Sequence, residues 1–428
     1  MQVAEAISLL QNLEFAAAKS LCEKLLVLDP KNAQVWHLFG LADAQQGNLE
    51  VAVESLKTAT TLAPTNANYH FNLALAYNRL GQFEPAEASY REVILQRRGF
   101  REAYINLGTL LVQQGRPQEA VAVLEELLKV CKDDSETHYN LANLFSLTDN
   151  VEVAIHHYRR SIELSPDFAN ARENLTRDLL KQGQTQEAQQ VLRDWLDHEP
   201  SSSMALHMLA SLSGENVPDR CDDEYIRQTF DENFSGQFEE QLARLQYRAP
   251  ELVANALLSL RDSKDGLAIL DAGCGTGLCA EKLRPIAKIL HGVDLSNAML
   301  KVAEARKIYD VLVEVELTEY LRSHPSEYDC IVSADTLCYF GDLNPVFMAT
   351  TNCLRGQGLL IFTVELLDVD GKVSYLLQTN GRYCHSERYV RDSLAAAGLR
   401  LKSLESATLR MERGEPVLGA VIVAELEP

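Results

Sequence analysis

The stretch ILDAGCGTG, residues 269–277, places Gly273, Gly275 and Gly277 at alternate positions behind Asp271 and an apolar run. Glycines spaced in this way let a backbone approach a bound group closely, because no Cβ stands in the path. A dinucleotide loop carries glycines at its first, third and sixth positions, but here the sixth position after Gly273 is Leu278 and the third glycine comes early. The loop is too tight for a pyrophosphate, and the chain is expected to enter a helix at about Thr276. A glycine loop after a strand can also be a plain tight turn, so the reading depends on the neighbouring segments. The nine cysteines (Cys22, Cys131, Cys221, Cys274, Cys279, Cys330, Cys338, Cys353 and Cys384) form no CxxC pair and no metal-ligand spacing. Neither a metal nor disulfides are expected from them.

The elements that must position this loop follow residue 220. Apolar runs of strand length, LAIL, AKILHGV, VLVEV, CIVSA and GLLIFTV, alternate with helical patterns, which reads as a parallel sheet with crossover helices. The last two runs, around 399–409 and 417–425, are joined by MERGEP and read as a hairpin. A mostly parallel, seven-stranded sheet ending in an antiparallel hairpin is similar to the Rossmann-like plan of the class I S-adenosylmethionine-dependent methyltransferases. ILDAGCGTG resembles their first motif almost letter for letter.

That resemblance implies S-adenosylmethionine as cofactor. Asp271, Gly273, Gly275 and Gly277 would meet its methionine end, and Asp294 in HGVDLSNAML would accept both ribose hydroxyls, with Leu295 and Met299 against adenine. VLVEVELTEYL is expected to end at Glu316 and Leu317, which would offer a carboxylate to the adenine amine and a backbone amide to the ring. Ala334 and Asp335 end YDCIVSADTLCYF beside the methyl group. That segment lacks the Asn-Pro-Pro-Tyr type of motif of methyltransferases acting on exocyclic amines of bases, and the paired glutamates of arginine methyltransferases are not recognisable. Transfer needs no protein nucleophile. If the acceptor is a hydroxyl or an ammonium, a base must take its proton, and the candidates are His385 and Tyr383, with Asp335 and Tyr339 at the fourth strand. His385 also reads as a partly buried hydrogen-bonding residue, Asp335 as a helix cap, and Tyr247 and Phe230 as packing or pocket wall.

The first half of the chain repeats at a period of 34: Ala18, Ala52, Ala86, Ala120, Ala154 and Ala188; Gly47, Gly81, Gly115 and Gly183; Pro30, Pro64, Pro166 and Pro200. Each unit reads as two amphipathic helices with the glycine in the turn, a small alanine where they cross, and proline at the end. Position by position this resembles the tetratricopeptide repeat, with Trp36, Phe39, Gly40, Ala52 and Pro64 filling its pattern. Asp149 replaces the turn glycine of the fourth unit, and Arg98 and Lys132 stand where proline would close the second and third.

Stacked units form a solenoid with a concave groove, which implies a protein or peptide partner. Asn72, Asn106, Asn140 and Asn174 share one register position and could bracket an extended peptide backbone, or could be an ordinary consensus choice. His37, Phe71, Ile105 and Tyr139 occupy the groove positions where a basic carboxylate clamp would sit. The expected class is therefore α plus α/β: an all-α solenoid over 1–213, a linker at 214–220, and the α/β unit over 221–428. The solenoid comprises five full repeats at 33–202, a partial first repeat, and a capping helix in SSSMALHMLASLSGENVPDR.

A net charge of −21, acidic in both halves, argues against a nucleic-acid partner. No run approaches the roughly 18 apolar residues of a membrane span, and MQVAEAISLLQNLEFAAAKS does not read as a secretory signal, so a cytoplasmic protein is expected. Three functions fit: a methyltransferase whose groove selects a protein or peptide acceptor, a small-molecule methyltransferase docked onto an assembly by its repeats, and a catalytically silent cofactor-binding scaffold.

Overall fold

The 34-residue period is kept in three dimensions. In a computed structural model that describes residues 2–130, 133–232, 238–260, 266–367, 373–412 and 414–427, first helices begin at Ala33, Ala67, Arg101, Ser135 and Ala169. Second helices begin at Phe15, Leu49, Phe83, Pro117, Val151 and Thr185. Lys132 and Cys131 lie outside the described residues. All six register alanines are fully buried where paired helices meet. Gly40 shows how close that approach is, since a Cβ there would lie 2.7 Å from Leu56 Cγ and 3.1 Å from the Ala52 carbonyl.

The turn between paired helices needs a left-handed residue, and Gly47, Gly81, Gly115 and Gly183 supply it with φ from 71° to 84°. Asp149 keeps the same conformation at φ 63°, and so does Leu13, at φ 63°, in the partial first repeat. Both turns are retained at a backbone cost of about 1–2 kcal/mol relative to glycine. A second regularity was not legible in the sequence. Trp36 Nε1, His70 Nε2 and Arg172 Nε, at equivalent positions, each donate to the carbonyl of the proline six residues earlier, at 2.9–3.0 Å. Three different side chains thus fix the same inter-helix corner.

The chain divides into two compact units, Met1–Val191 and Leu192–Pro428. The helix Ser203–Ser213, expected to cap the repeats, packs within the second unit: His207 Nε2 donates to the Gly381 carbonyl at 2.9 Å and its ring lies 4.0 Å from that of Tyr225. Sequence period marks where the repeats stop, but a lone amphipathic helix carries no record of its partner.

Among the described residues of the second unit nine strands form one sheet: β1 Leu267–Ala272, β2 Ala287–Asp294, β3 Val311–Glu314, β4 Tyr328–Ser333, β5 Leu354–Leu366, β6 Tyr375–Leu377, β7 Tyr383–His385, β8 Leu399–Glu412 and β9 Glu415–Leu426. The order β3-β2-β1-β4-β5 is parallel throughout. It continues through antiparallel β9 and β8, which is the class I methyltransferase order. β6 and β7 were not anticipated. β5 is long enough that, after β4 ends at Ser333, its residues Glu365 and Leu366 pair with Cys384 and His385 of β7. Two apolar clusters cover the two faces. One is built on Phe347, Phe362 and Tyr328, the other on Leu257, Ile269 and Ile361.

Candidate active site

A cavity of about 370 Å³ opens where β1, β2, β3 and β4 end, the place where open α/β sheets bind ligands because strand ends and crossover loops diverge there. After β1 the chain does not enter a helix at Thr276. Gly275 (φ 52°) and Gly277 (φ 86°) are left-handed, so residues 275–279 make turns and the helix runs only over Ala280–Leu283. At Gly273 a Cβ would lie 2.2 Å from Thr336 Oγ1, and that threonine donates to the Ala272 and Gly273 carbonyls. The glycine therefore admits a side chain of this protein as well as lining the cavity.

Of the five carboxylates that described residues bring to the cavity wall, the three at or just beyond the ends of β1, β2 and β3 are each held from behind by the chain. Asp271, with no exposed surface, accepts from Tyr309 Oη at 2.6 Å through Oδ2, and its Oδ1 has no partner. Burial pushes its carboxyl up to about 7. Asp294 accepts the Gly275 amide at 2.8 Å and the Ser296 amide at 2.9 Å, one on each oxygen, and burial raises its carboxyl as well. Glu316 accepts the Glu319 amide at 2.9 Å through Oε2, while its buried Oε1 has no partner. β3 ends at Glu314, two residues short of the expected end, because Glu316 leaves the ladder to cap the helix Leu317–Ser323. Thr276 Oγ1 is a further buried wall atom without a partner.

These acceptors match the donors of S-adenosylmethionine: an ammonium, two ribose hydroxyls and an adenine amine. Residues 270–362 match the family model described as a methyltransferase domain, and residues 40–81, 67–98, 100–167 and 169–194 match tetratricopeptide-repeat models. The chain carries tetratricopeptide repeats and a methyltransferase domain.

Among curated proteins, the methyltransferase region is 34% identical over 122 residues to a ubiquinone biosynthesis O-methyltransferase of Thiobacillus denitrificans, covering 27% of this chain and 50% of that one. It is 36% identical over 111 residues to methyltransferase-like protein 27 of Homo sapiens, covering 25% and 45%. This chain thus spans about half the length of these relatives. A solved structure, magnesium protoporphyrin IX methyltransferase of Synechocystis PCC 6803 with bound SAH, superposes with a TM-score of 0.37 at 16% identity, covering 48% of this chain and all of that one.

Within the methyltransferase domain the cavity brings together Asp271, Gly273, Gly275, Asp294, Leu295, Met299, Glu316, Leu317 and Ala334. Gly277 is not among its lining residues. A Cβ there would lie 3.0 Å from the Tyr309 ring and 3.2 Å from Arg306 Cδ, so this glycine lets the loop pass the tyrosine that holds Asp271. Phe230 and Tyr247, open between packing and pocket wall, both line the cavity.

The proton-accepting candidates divide. Asp335 and Tyr339 are in the wall. His385 and Tyr383 are not. His385 is fully buried, its Nε2 donates to the Phe340 carbonyl at 2.8 Å, and burial drives its imidazole down to about 4. Tyr383 is equally buried and donates to the Pro218 carbonyl at 2.6 Å. These two anchor β7, and the expectation that they face an acceptor is corrected by their burial.

Asp335 does not cap the following turn. It is left-handed at φ 60° and forms ion pairs with two arginines that sequence reasoning passed over, Arg382 and Arg410. Arg382 lies in NGRYCH, beside the candidates Tyr383 and His385, and Arg410 lies in LRMERGEP, at the hairpin link. The signal available was an arginine interrupting the alternation of a strand, and a register shift between Thr408 and Arg410 turns the latter inward.

Proposed function

We propose that the methyltransferase domain transfers a methyl group from S-adenosylmethionine to an acceptor in a protein or peptide that the repeats select. The observation that carries the cofactor assignment is the set of three wall carboxylates, each ordered by its own chain and each lining the cavity, two of them with an oxygen left unbonded. Asp294 would hold the ribose, Glu316 the adenine amine, and Asp271 the ammonium, while Leu295, Met299 and Leu317 supply apolar surface for the ring. When bound, the cofactor supplies a methyl group already activated on a sulfonium. The remaining task of the protein is to exclude water and fix the acceptor in line, and positioning of that kind contributes roughly 7–11 kcal/mol. Phe230, Phe238, Leu242 and Tyr247, from the segment before β1, wall the cavity for that purpose.

Two features support selection by the repeats. Tetratricopeptide stacks are binding modules for extended chains. Asn106 and Asn140 are half-buried and, among the described residues, hold no side-chain hydrogen bond, so both can serve a peptide backbone. Asn72 and Asn174 are committed instead to the preceding repeat, Asn72 at 2.7 Å from His37 Nε2 and Asn174 at 2.9 Å from Asn143 Oδ1. The groove-side rings are also partly engaged, with Phe71 on Phe100 and Tyr139 on Phe168 at 4.8–4.9 Å.

The test is transfer of labelled methyl from S-adenosylmethionine into lysate of the source organism by the full-length protein. Label on a discrete protein, reduced at least tenfold by Asn106→Ala with Asn140→Ala while the cofactor Kd holds, is the expected result. Label confined to small molecules points to docking by the repeats, and bound cofactor without transfer points to a silent scaffold.

A further inference from the structure

The segment before β1 that walls the cavity is tied to the turn that carries Asp294. Gln228–Glu232 form a single π-helical turn, a form that recurs at functional sites. Phe230, in this turn, lines the cavity with its ring edge-on to Tyr339 at 5.8 Å and to Phe238 at 6.1 Å. The next residue, Asp231, reaches the start of the helix Asn297–Ala305, just after β2. Its Oδ1 accepts from Ser296 Oγ at 2.5 Å and from the Ala298 amide at 3.2 Å.

Ser296 is the junction. It has no exposed surface, and its amide donates to Asp294 Oδ1 at 2.9 Å while its hydroxyl donates to Asp231. The same hydroxyl oxygen accepts the Met299 amide at 3.2 Å. Residues 294–296 therefore join the carboxylate proposed for the ribose to the anchor of Phe230. A second tie lies beyond the other end of that helix, where Arg306 donates through Nε to the Thr276 carbonyl at 2.6 Å and through Nη2 to Glu239 at 2.5 Å. Glu239 is exposed, so this ion pair contributes little beside the bond to buried Ser296.

Charge is not what an aspartate at 231 adds. Burial raises the Asp294 carboxyl, and the charge of Asp231 raises it further. Both bonds made by Asp231 go to one oxygen, an acceptor that an amide carbonyl can replace.

We infer, resting on the methyltransferase reading, that Asp231 is a positioning residue: through Ser296 it couples cofactor binding at Asp294 to assembly of the cavity wall at Phe230. Asp294, once it holds the ribose, fixes the 294–296 turn. Ser296 then holds Asp231, and Asp231 keeps Phe230 against Tyr339. The acceptor meets a complete wall after the methyl donor is in place, so the cofactor binds first. The coupling is reciprocal, and an ordered wall also tightens the cofactor.

The test compares full-length protein with its Asp231→Ala, Asp231→Asn and Ser296→Ala variants, each with and without saturating S-adenosylhomocysteine. Amide hydrogen exchange is followed over residues 225–231, and the Kd by calorimetry. In the parent the ligand should slow exchange over that stretch about tenfold. Asp231→Ala should abolish the slowing and raise the Kd about tenfold, the size of one lost hydrogen bond to a charged group. Ser296→Ala, which keeps the amide to Asp294, should reproduce this. Asp231→Asn should retain both the slowing and the parent Kd. No slowing in the parent, or equal slowing in the parent and Asp231→Ala, overturns the coupling while cofactor binding stands. Loss in Asp231→Asn equal to that in Asp231→Ala overturns the role of the acceptor oxygen. A parent that binds no S-adenosylhomocysteine overturns the methyltransferase reading as well.

Discussion

The two units of this protein use glycine for opposite purposes. In the repeats, Gly47, Gly81, Gly115 and Gly183 have no atom within 4 Å of where a Cβ would stand, and their value is the left-handed turn alone. In the methyltransferase domain Gly273 combines a left-handed φ of 73° with a Cβ position already filled by Thr336. A turn that needs only a conformation tolerates Asp149 and Leu13, whereas a turn pressed against a neighbour tolerates nothing larger than hydrogen. The difference teaches where change is absorbed. Repeats spread their stability over many equivalent contacts between neighbours, while the site concentrates its demands on a few positions reached from distant parts of the chain.

That comparison can be broken or sharpened by substitution, and the largest effect is expected at the site. Asp294→Ala removes the acceptor for the Gly275 and Ser296 amides as well as the ribose contact proposed for it. The Kd for S-adenosylmethionine should rise at least about 100-fold, since each charged hydrogen bond lost costs about 1.5–3 kcal/mol. An unchanged Kd in calorimetry would place the cofactor elsewhere.

Gly273→Ala should come next, destabilising the methyltransferase unit by about 3 kcal/mol or more because overpacking and a strained φ combine. Urea unfolding followed by a probe in each unit checks that the repeat transition stays put.

A pH effect of similar size is expected from His385. Its folded imidazole sits near 4, below the ordinary value of 6.5. Below 6.5 the unfolded chain therefore binds the extra proton, and stability present at neutral pH is lost as pH falls from about 6.5 to 4, on the order of 2–3 kcal/mol. A flat melting temperature of the second unit across that window would contradict the buried, neutral ring.

The smallest effect is expected in the repeats. Asp149→Gly should stabilise the first unit by about 1 kcal/mol by relieving the left-handed aspartate. A loss of stability would show that Asp149 does more than occupy a turn.

What the sequence determined by itself was whatever rests on local or periodic rules. The 34-residue register set the helix pairs and buried alanines of the repeats, and the order of apolar runs set the parallel sheet and its hairpin. Spacing brought nine of the ten residues expected to meet the cofactor to one cavity, because they lie at or just beyond the ends of β1 to β4. Tertiary structure alone decided what depends on partners far apart in the chain. It moved His385 and Tyr383 out of the site, since burial is not written in residue type. It made Gly277 a neighbour of Tyr309 and gave the helix Ser203–Ser213 to the second unit. It also turned Arg410 inward through a bulge, to meet Arg382 and Asp335 from two other strand ends. Local rules report what a segment can form, and only the folded chain decides which groups share a low-dielectric interior and must satisfy one another there.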